Sequence, residues 1–339
     1  MIRPSVPRVL IFGIALSFAS AGSALGWGST GHRIVGRLAM EALPPDMPSF
    51  LKTPAAAEAV GELSREPDRW KDAGRAHDLD LDPGHFIDLG DDGRVFGGPA
   101  LADLPPTRAE YETALRNAGV DEWKAGYLPY SIVEGWEQVA KDFAYLRADE
   151  AGAAKSTDPA HRAWLTADGE RRKGLILRDI GVFSHYVGDG SMPLHVSIHF
   201  NGWGPFPNPE GYTQAHVHAP FEGAFVRGFV RPAAVAAALP PPRDCRCGIL
   251  RRTEDYLEAT GATVAPFYRL EKAGAFAPAD PRGEAFAAAR LAAGAAELRD
   301  MIAEAWRASE AGQVGWPAVK VADVEAGAID PFDSLYGVD

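Results

Sequence analysis

Apolar residues recur along this chain mainly at intervals of three and four, the period of a helix with one buried face. The clearest case is 173–188, where Ile176, Ile180, Phe183 and Val187 fall on one stripe. Residues 132–146 repeat the pattern through Val133, Trp136, Val139, Ala140 and Phe143. Further helices are predicted at 32–43, ended by Pro44-Pro45, and at 47–63, 107–118 and 219–230. A long Ala-rich helix is predicted at 284–309. Gly, Pro and Asp crowd 67–98, and Pro205, Pro207 and Pro209 interrupt 201–211, so both stretches read as loop. Strand-like alternation is scarce and no internal repeat is visible. The pattern predicts an all-α fold, a single mainly helical domain over 27–315, with an irregular tail at 316–339.

Composition changes this picture little. With 339 residues, 46% hydrophobic and 24% charged, the chain can bury a sizeable core and is not a disordered protein. The 36 Gly and 27 Pro follow no fixed period, which excludes a collagen-like chain. Charge matters more. A net charge of −12 argues against stable binding of duplex DNA, which rests on a basic surface. It leaves room for a small site whose positive charge comes from metal ions.

The first residues have the layout of a secretory signal peptide. Arg3 and Arg8 make a basic start, 9–19 is apolar and uncharged, and Ala24-Leu25-Gly26 is a small-x-small cleavage site. A signal peptide over 1–26 is therefore expected, with export to the periplasm or the medium and Trp27 as the new N-terminus. The apolar run is too short to span a bilayer, and no transmembrane segment is expected in the mature chain. Cys245 and Cys247 are the only cysteines, either a tight local disulfide or incidental thiols.

The candidate chemistry lies in the histidines and carboxylates. His185 and Asp189 stand four apart on the helix at 173–188, so both can reach one metal ion. Gly190 and Pro193 then break the helix and can turn His195 back toward the same place. His218 and Glu222 make a second i,i+4 pair, whose imidazole and carboxylate suit zinc. His216, two residues away, competes with His218, and the helical spacing favours His218. Upstream, His85 sits in His85-Phe86-Ile87-Asp88 after a loop that contains Asp68. His32 follows Trp27 by five residues, and a Trp27 with a free amine and its own carbonyl could chelate a metal beside it.

Taken together and in this order, these motifs resemble the zinc-dependent phospholipase C and S-one/P-one single-strand nuclease superfamily. The elements that carry the resemblance are Trp27, Gly31-His32, Asp68 in Pro67-Asp68-Arg69-Trp70, and His85 to Asp88. His185, Tyr186, Gly188-Asp189, Pro193-Leu194-His195 and the pair His218/Glu222 complete it. The resemblance implies a mainly helical domain with long loops around a trinuclear zinc site. Asp68, His85, His185 and Asp189 would bind one zinc; His195, His218 and Glu222 a second; and Trp27, His32 and Asp189 a third, with Asp189 as the bridge. Three carboxylates do not neutralise three dications, so such a pocket stays electropositive inside an acidic protein.

The resemblance implies hydrolysis of phosphodiesters in single-stranded RNA or DNA through a zinc-bound hydroxide, extending to 3'-nucleotidase action, with Asp68 as the catalytic carboxylate. A phospholipase C that releases phospholipid head groups is the alternative, and an inactive exported zinc-binding protein the third. The chain departs from the nuclease pattern at Gly190-Ser191-Met192, where a His-Gln pair is usual, and in a long stretch at 95–172. Trp203, Phe206 and Tyr212 are read first as residues that pack their loop, and otherwise as contacts to bases or acyl chains. His77, His161 and His199 lie outside the motifs and are expected to tolerate replacement. No partner protein is indicated.

Overall fold

The computed structural model describes residues 27–337, so the expected signal peptide lies outside the described residues. Three long helices frame the fold: Leu128–Lys155, Pro159–Asp189 and Pro281–Ala308. The last two begin alike. Asp158 and Asp280 accept hydrogen bonds from first-turn backbone N–H groups, and a proline at the start supplies a preset φ without losing a needed donor. Helices Leu128–Lys155 and Pro159–Asp189 form a hairpin, against which Ser29–Glu41, Pro54–Leu63 and Pro281–Ala308 pack. The stripe of Ile176, Ile180, Phe183 and Val187 is wholly buried. Each such side chain contributes about 1.5–3 kcal/mol by leaving water. One apolar cluster runs continuously from Trp27 to Ala305 and holds the protein together as a mostly helical body.

Several predicted elements prove longer or differently built. The helix expected at 132–146 is the middle of Leu128–Lys155, and the one at 173–188 the last half of Pro159–Asp189. Buried polar residues such as Asp142 and Asp149 interrupt the apolar period, which is why the pattern understates the first of these. The stretch 67–98 contains short helical turns at Glu66–Arg69, Arg75–Leu81 and Asp82–His85. Helices Ile249–Gly261 and Val264–Lys272 complete the wall beside the long C-terminal helix. Cys245 and Cys247 are joined in a disulfide, the first of the two alternatives.

The tail is not irregular. Gln313–Val314 pairs antiparallel with Val319–Lys320, and the helices Val321–Ala326 and Phe332–Tyr336 follow. Val314, Val321 and Val324 are buried against Ala144 and Ala148 of the hairpin. Arg147 ties the segment down through Glu325 at 2.9 Å. Helices of five or six residues are too short to show a period, and their stability here comes from that contact. Among the described residues no helix is long and apolar enough to cross a membrane.

One buried acid inside the hairpin makes a testable cost. Both carboxylate oxygens of Asp149 lack hydrogen-bond partners, and burial, with Asp168 adding like charge, pushes its pKa up to about 8. The folded chain thus holds a proton between the ordinary carboxylate range and pH 8 that the unfolded chain releases, so stability falls as pH rises through this window. Asp149→Asn keeps the shape and removes the titration. In urea denaturation at pH 9 the variant should exceed the parent by at least about 1 kcal/mol, with the gap closing toward pH 4. A gap independent of pH would mean that Asp149 is not the titrating group.

Candidate metal centre

Three groups of nitrogen and oxygen donors, all buried except the half-buried Asp68, converge beside the end of helix Pro159–Asp189: His32, His185 and Asp189; Asp68, His85 and His185; and His195, His218 and Glu222. Within each group the donor atoms lie within 4.8 Å of one another. His185 and Asp189 occupy successive turns, which sets His185 Nε2 3.2 Å from Asp189 Oδ2. The helix stops at Asp189, the chain turns through Gly190 and Ser191, and the short 3-10 turn Pro193–His195 brings His195 back to 4.0 Å from Asp189 Oδ1. His32 arrives from helix Ser29–Glu41 and stacks on His185 with ring centroids 3.9 Å apart. Gly188 makes that approach possible, since a Cβ there would stand 3.1 Å from His32 Nδ1.

Asp189 is divided between two groups. Its Oδ1 faces His32 Nε2 at 3.4 Å, while Oδ2 faces His85 Nδ1 at 3.1 Å as well as His185. Asp68, on the turn Glu66–Arg69, is 3.8 Å from His185 Nε2 and is ion-paired to Lys71 at 2.8 Å. His218 precedes a wide π-helical turn, Pro220–Phe225, where a regular helix was expected; Pro220 brings no N–H to this first turn. Glu222 still meets its partner, Oε2 lying 2.8 Å from His218 Nε2 and 3.9 Å from His195 Nε2. His216 is exposed, so only His218 joins the group.

Hydrogen bonds from outside the groups orient the rings. His185 Nδ1 donates to the Ser64 carbonyl at 2.8 Å, and His195 Nδ1 donates to the His85 carbonyl at 2.6 Å. In both rings this leaves Nε2 with its lone pair turned inward, the arrangement by which proteins present imidazole to a metal. His185 Nε2 lies 2.9 Å from His85 Nδ1, but six other inward atoms have no hydrogen-bond partner: His32 Nε2, Asp189 Oδ1, His195 Nε2, His218 Nε2 and both oxygens of Glu222. His218 and Glu222 are close but not aligned as a hydrogen bond, so they converge on a common point rather than on each other. An unpaired buried polar atom costs about 1–3 kcal/mol. Cations shared among these atoms would remove that cost, and the donor set, imidazole and carboxylate without thiolate, suits zinc.

The electrostatics agree with cation binding. Burial lowers His32 to about 3 and His85 and His218 to about 4, keeping all three in the neutral, metal-binding form at neutral pH. His185 moves up, because Asp189 and Asp68 outweigh its burial. Asp68 is partly desolvated, which raises it, yet His185 and Lys71 bring it down to about 2. Burial pushes Glu222 up to about 8, the response of a carboxylate enclosed without enough positive charge.

Trp27 is fully buried, its indole N–H donating to Ser191 Oγ at 2.7 Å. Ser191 in turn donates to the Gly188 carbonyl at 2.8 Å, which ties the start of the described chain to the turn after Asp189. A Cβ at Gly31 would come within 2.7 Å of Trp27 Cβ, so this position admits only glycine without rearrangement. The cleavage that would free the Trp27 amine falls at residues outside those described. His199 corrects an expectation of tolerance: it is buried, bonded through Nδ1 to the Trp203 carbonyl at 2.6 Å, and paired through Nε2 with Asp91 at 3.0 Å. Its ring also stacks on Trp203 at 3.7 Å. Trp203 and Tyr212 are buried and pack their loop, which leaves them no free face for a ligand. His77 and His161 stay outside the site, the latter stacked on Phe332.

A cleft of about 570 Å³ opens over the donors His85, His195 and His218 and is flanked by Lys71, Asp88 and Lys124. Lys71 and the Ser64 and His85 carbonyls escaped the sequence reading; backbone acceptors carry no residue signal, and a lysine three residues after Asp68 reads as an ordinary surface pair. No protein-family model matches this chain, and no curated protein matches it either.

Proposed function

We propose that this chain is an exported zinc-dependent phosphodiester hydrolase of the S-one/P-one nuclease kind, acting on single-stranded RNA or DNA. The observation that carries the reading is the set of inward, unpaired nitrogen and oxygen donors beneath an open cleft. Asp68, His85, His185 and Asp189 would hold one ion, His195, His218 and Glu222 another, and His32 with Asp189 and the Trp27 backbone a third. Zinc bound there supplies water acidified to a pKa near 7 and positive charge for a phosphate.

The chain's own groups do the rest. Asp68, held ionised by His185 and Lys71, is a weak proton acceptor at neutral pH; its role is to orient the attacking water by accepting a hydrogen bond. Lys71, at the cleft wall, offers a cation to a phosphate oxygen. Asp189 links two ligand groups through its separate oxygens and fixes their spacing. The acidic exterior favours a short, locally bound strand over duplex DNA.

The test uses zinc-loaded protein starting at Trp27, incubated with single-stranded RNA and separately with short-chain phosphatidylcholine, each with a chelator control. Chelator-sensitive nucleotide release is the expected result. Head-group release alone would replace this reading with a phospholipase C, and zinc binding without either reaction would leave a metal-binding protein that is not an enzyme on these esters.

A further inference from the structure

The disulfide between Cys245 and Cys247 ties no distant parts of the chain together. One residue separates the two cysteines, so the bond closes a ring within a single turn and joins no two elements. A loop this short constrains the unfolded chain least, and the bond therefore adds little to stability. Both sides of the turn are fastened without it. Arg299 Nη1 donates to the Pro240 carbonyl at 2.9 Å, and the Arg243 N–H donates to Asp300 Oδ2 at 2.9 Å. On the far side, helix Ile249–Gly261 is anchored in the core by Tyr256 and Leu257.

The ring also carries a backbone cost. Arg246, between the cysteines, sits at φ 51°, a left-handed conformation that a long side chain rarely adopts. Its side chain is 87% exposed, so packing does not hold it there. Opening the ring lets Arg246 return to an ordinary conformation, which favours reduction. Both cysteines are only half-buried and within reach of an incoming thiol. Their surroundings differ in one respect. Cys247 precedes Gly248, the cap residue of helix Ile249–Gly261, and the first turn of that helix has no side-chain cap and no acidic residue. Unpaired N–H groups at the positive end of a helix favour a thiolate beside them. Asp244, the acid next to the ring, is paired with Arg246 at 3.3 Å, and Arg307 adds positive charge nearby.

We infer that the Cys245–Cys247 disulfide is a thiol–disulfide exchange site that oxidises a dithiol partner, a function separate from the metal centre. A partner thiolate attacks Cys245 Sγ. The S–S bond breaks, and its electron pair goes to Cys247, the better stabilised thiolate and so the better leaving group. The partner is then joined to Cys245 by a mixed disulfide. Its second thiol loses a proton and attacks its own bridged sulfur, which forms the partner's disulfide and releases Cys245. The partner dithiol becomes a disulfide and the protein disulfide a dithiol, with two electrons and two protons changing hands. A further turnover takes its oxidising equivalents from a small-molecule disulfide. The partner chemistry is a pair of cysteines close together on a flexible peptide, because the ring lies on an open turn and meets only thiols that reach out to it.

The experiment treats the zinc-loaded protein with excess reduced glutathione at pH 7, traps thiols with iodoacetamide and counts them by intact mass. The reference is a peptide dimer joined by one unstrained cystine. The protein disulfide should be reduced roughly tenfold faster or more. Reduction should move Tm by about 2 °C or less, since the ring closes so few residues. A reduced two-cysteine peptide added to the untreated protein should gain one disulfide per chain. Cys245→Ser and Cys247→Ser then separate the two sulfurs. At pH 6 the Cys247 thiol left in the first variant should be alkylated about fivefold faster or more than the Cys245 thiol left in the second. A disulfide that withstands glutathione until guanidinium unfolds the protein would be a structural bridge and would overturn the inference. Reduction without oxidation of the peptide would overturn it equally. Identical alkylation of the two variants across pH would refute Cys247 as the leaving thiolate.

Discussion

Asp189→Asn should empty two of the three ligand groups at once. Its Oδ1 serves the His32 group and its Oδ2 the group of His85 and His185, so one substitution removes charge from both. The amide is nearly the same size and keeps one oxygen, which separates loss of charge from loss of shape. It cannot offset a dication, and its NH₂ turns donors toward nitrogens that need a cation. Metal analysis of the purified variant should fall from about three ions per chain toward one, held by His195, His218 and Glu222. Turnover should fall by at least about a thousandfold, on the scale of losing a charge-stabilising metal. A variant that keeps full metal content would show that Asp189 does not bridge, and the arrangement would then have to be redrawn around His185.

Chelation should destabilise the whole protein, not only silence it. The unpaired atoms of His32, Asp189, His195, His218 and Glu222 sit in the core beside Trp27 and the ends of two helices. An ion present at about a thousand times its Kd adds about 4 kcal/mol of stability, so several ions removed together should lower Tm by about 10 °C or more. The effect has a definite pH dependence. Without metal, Glu222 holds a proton up to about pH 8, and metal must displace it. Loading therefore releases protons at pH 7, and the gain in Tm on adding zinc should shrink as pH falls from 8 toward 5. His32, His85 and His218 contribute little to that slope, since burial keeps them neutral well below pH 5. Scanning calorimetry with and without zinc at pH 8, 7 and 5 measures both. A zinc-dependent gain equal at all three pH values would remove Glu222 from the ligands.

The two predictions draw unequally on sequence and structure. The pairs His185/Asp189 and His218/Glu222 were legible because a helix sets neighbours at i,i+4, even though the second pair spans a π-helical turn. The choice between His216 and His218 followed the same logic, and burial of His218 alone agrees with it. The return of His195 was readable from Gly190 and Pro193. Other features left no trace in residue order. The exposed rings of the cleft, Phe96, Trp123 and Phe200, come from three segments far apart in the chain, and Phe96 looks ordinary until its φ is known. His199 looked dispensable because its partners, Asp91 and the Trp203 carbonyl, belong to no motif.

By itself, then, the order of residues determined the helical class, the long helix that ends at Asp189 and the identity of nearly every candidate ligand. Those properties depend on a period of 3.6 residues or on spacing within a few residues, and both are local. Only the tertiary structure decided that the tail folds back on Ala144 and Ala148, that Ser64 and His85 lend carbonyls to the rings, and that Asp189 faces two groups with different oxygens. Each of these joins segments far apart in the chain, and long-range contacts are selected by packing and by the need to satisfy buried polar atoms, not by any spacing along the sequence.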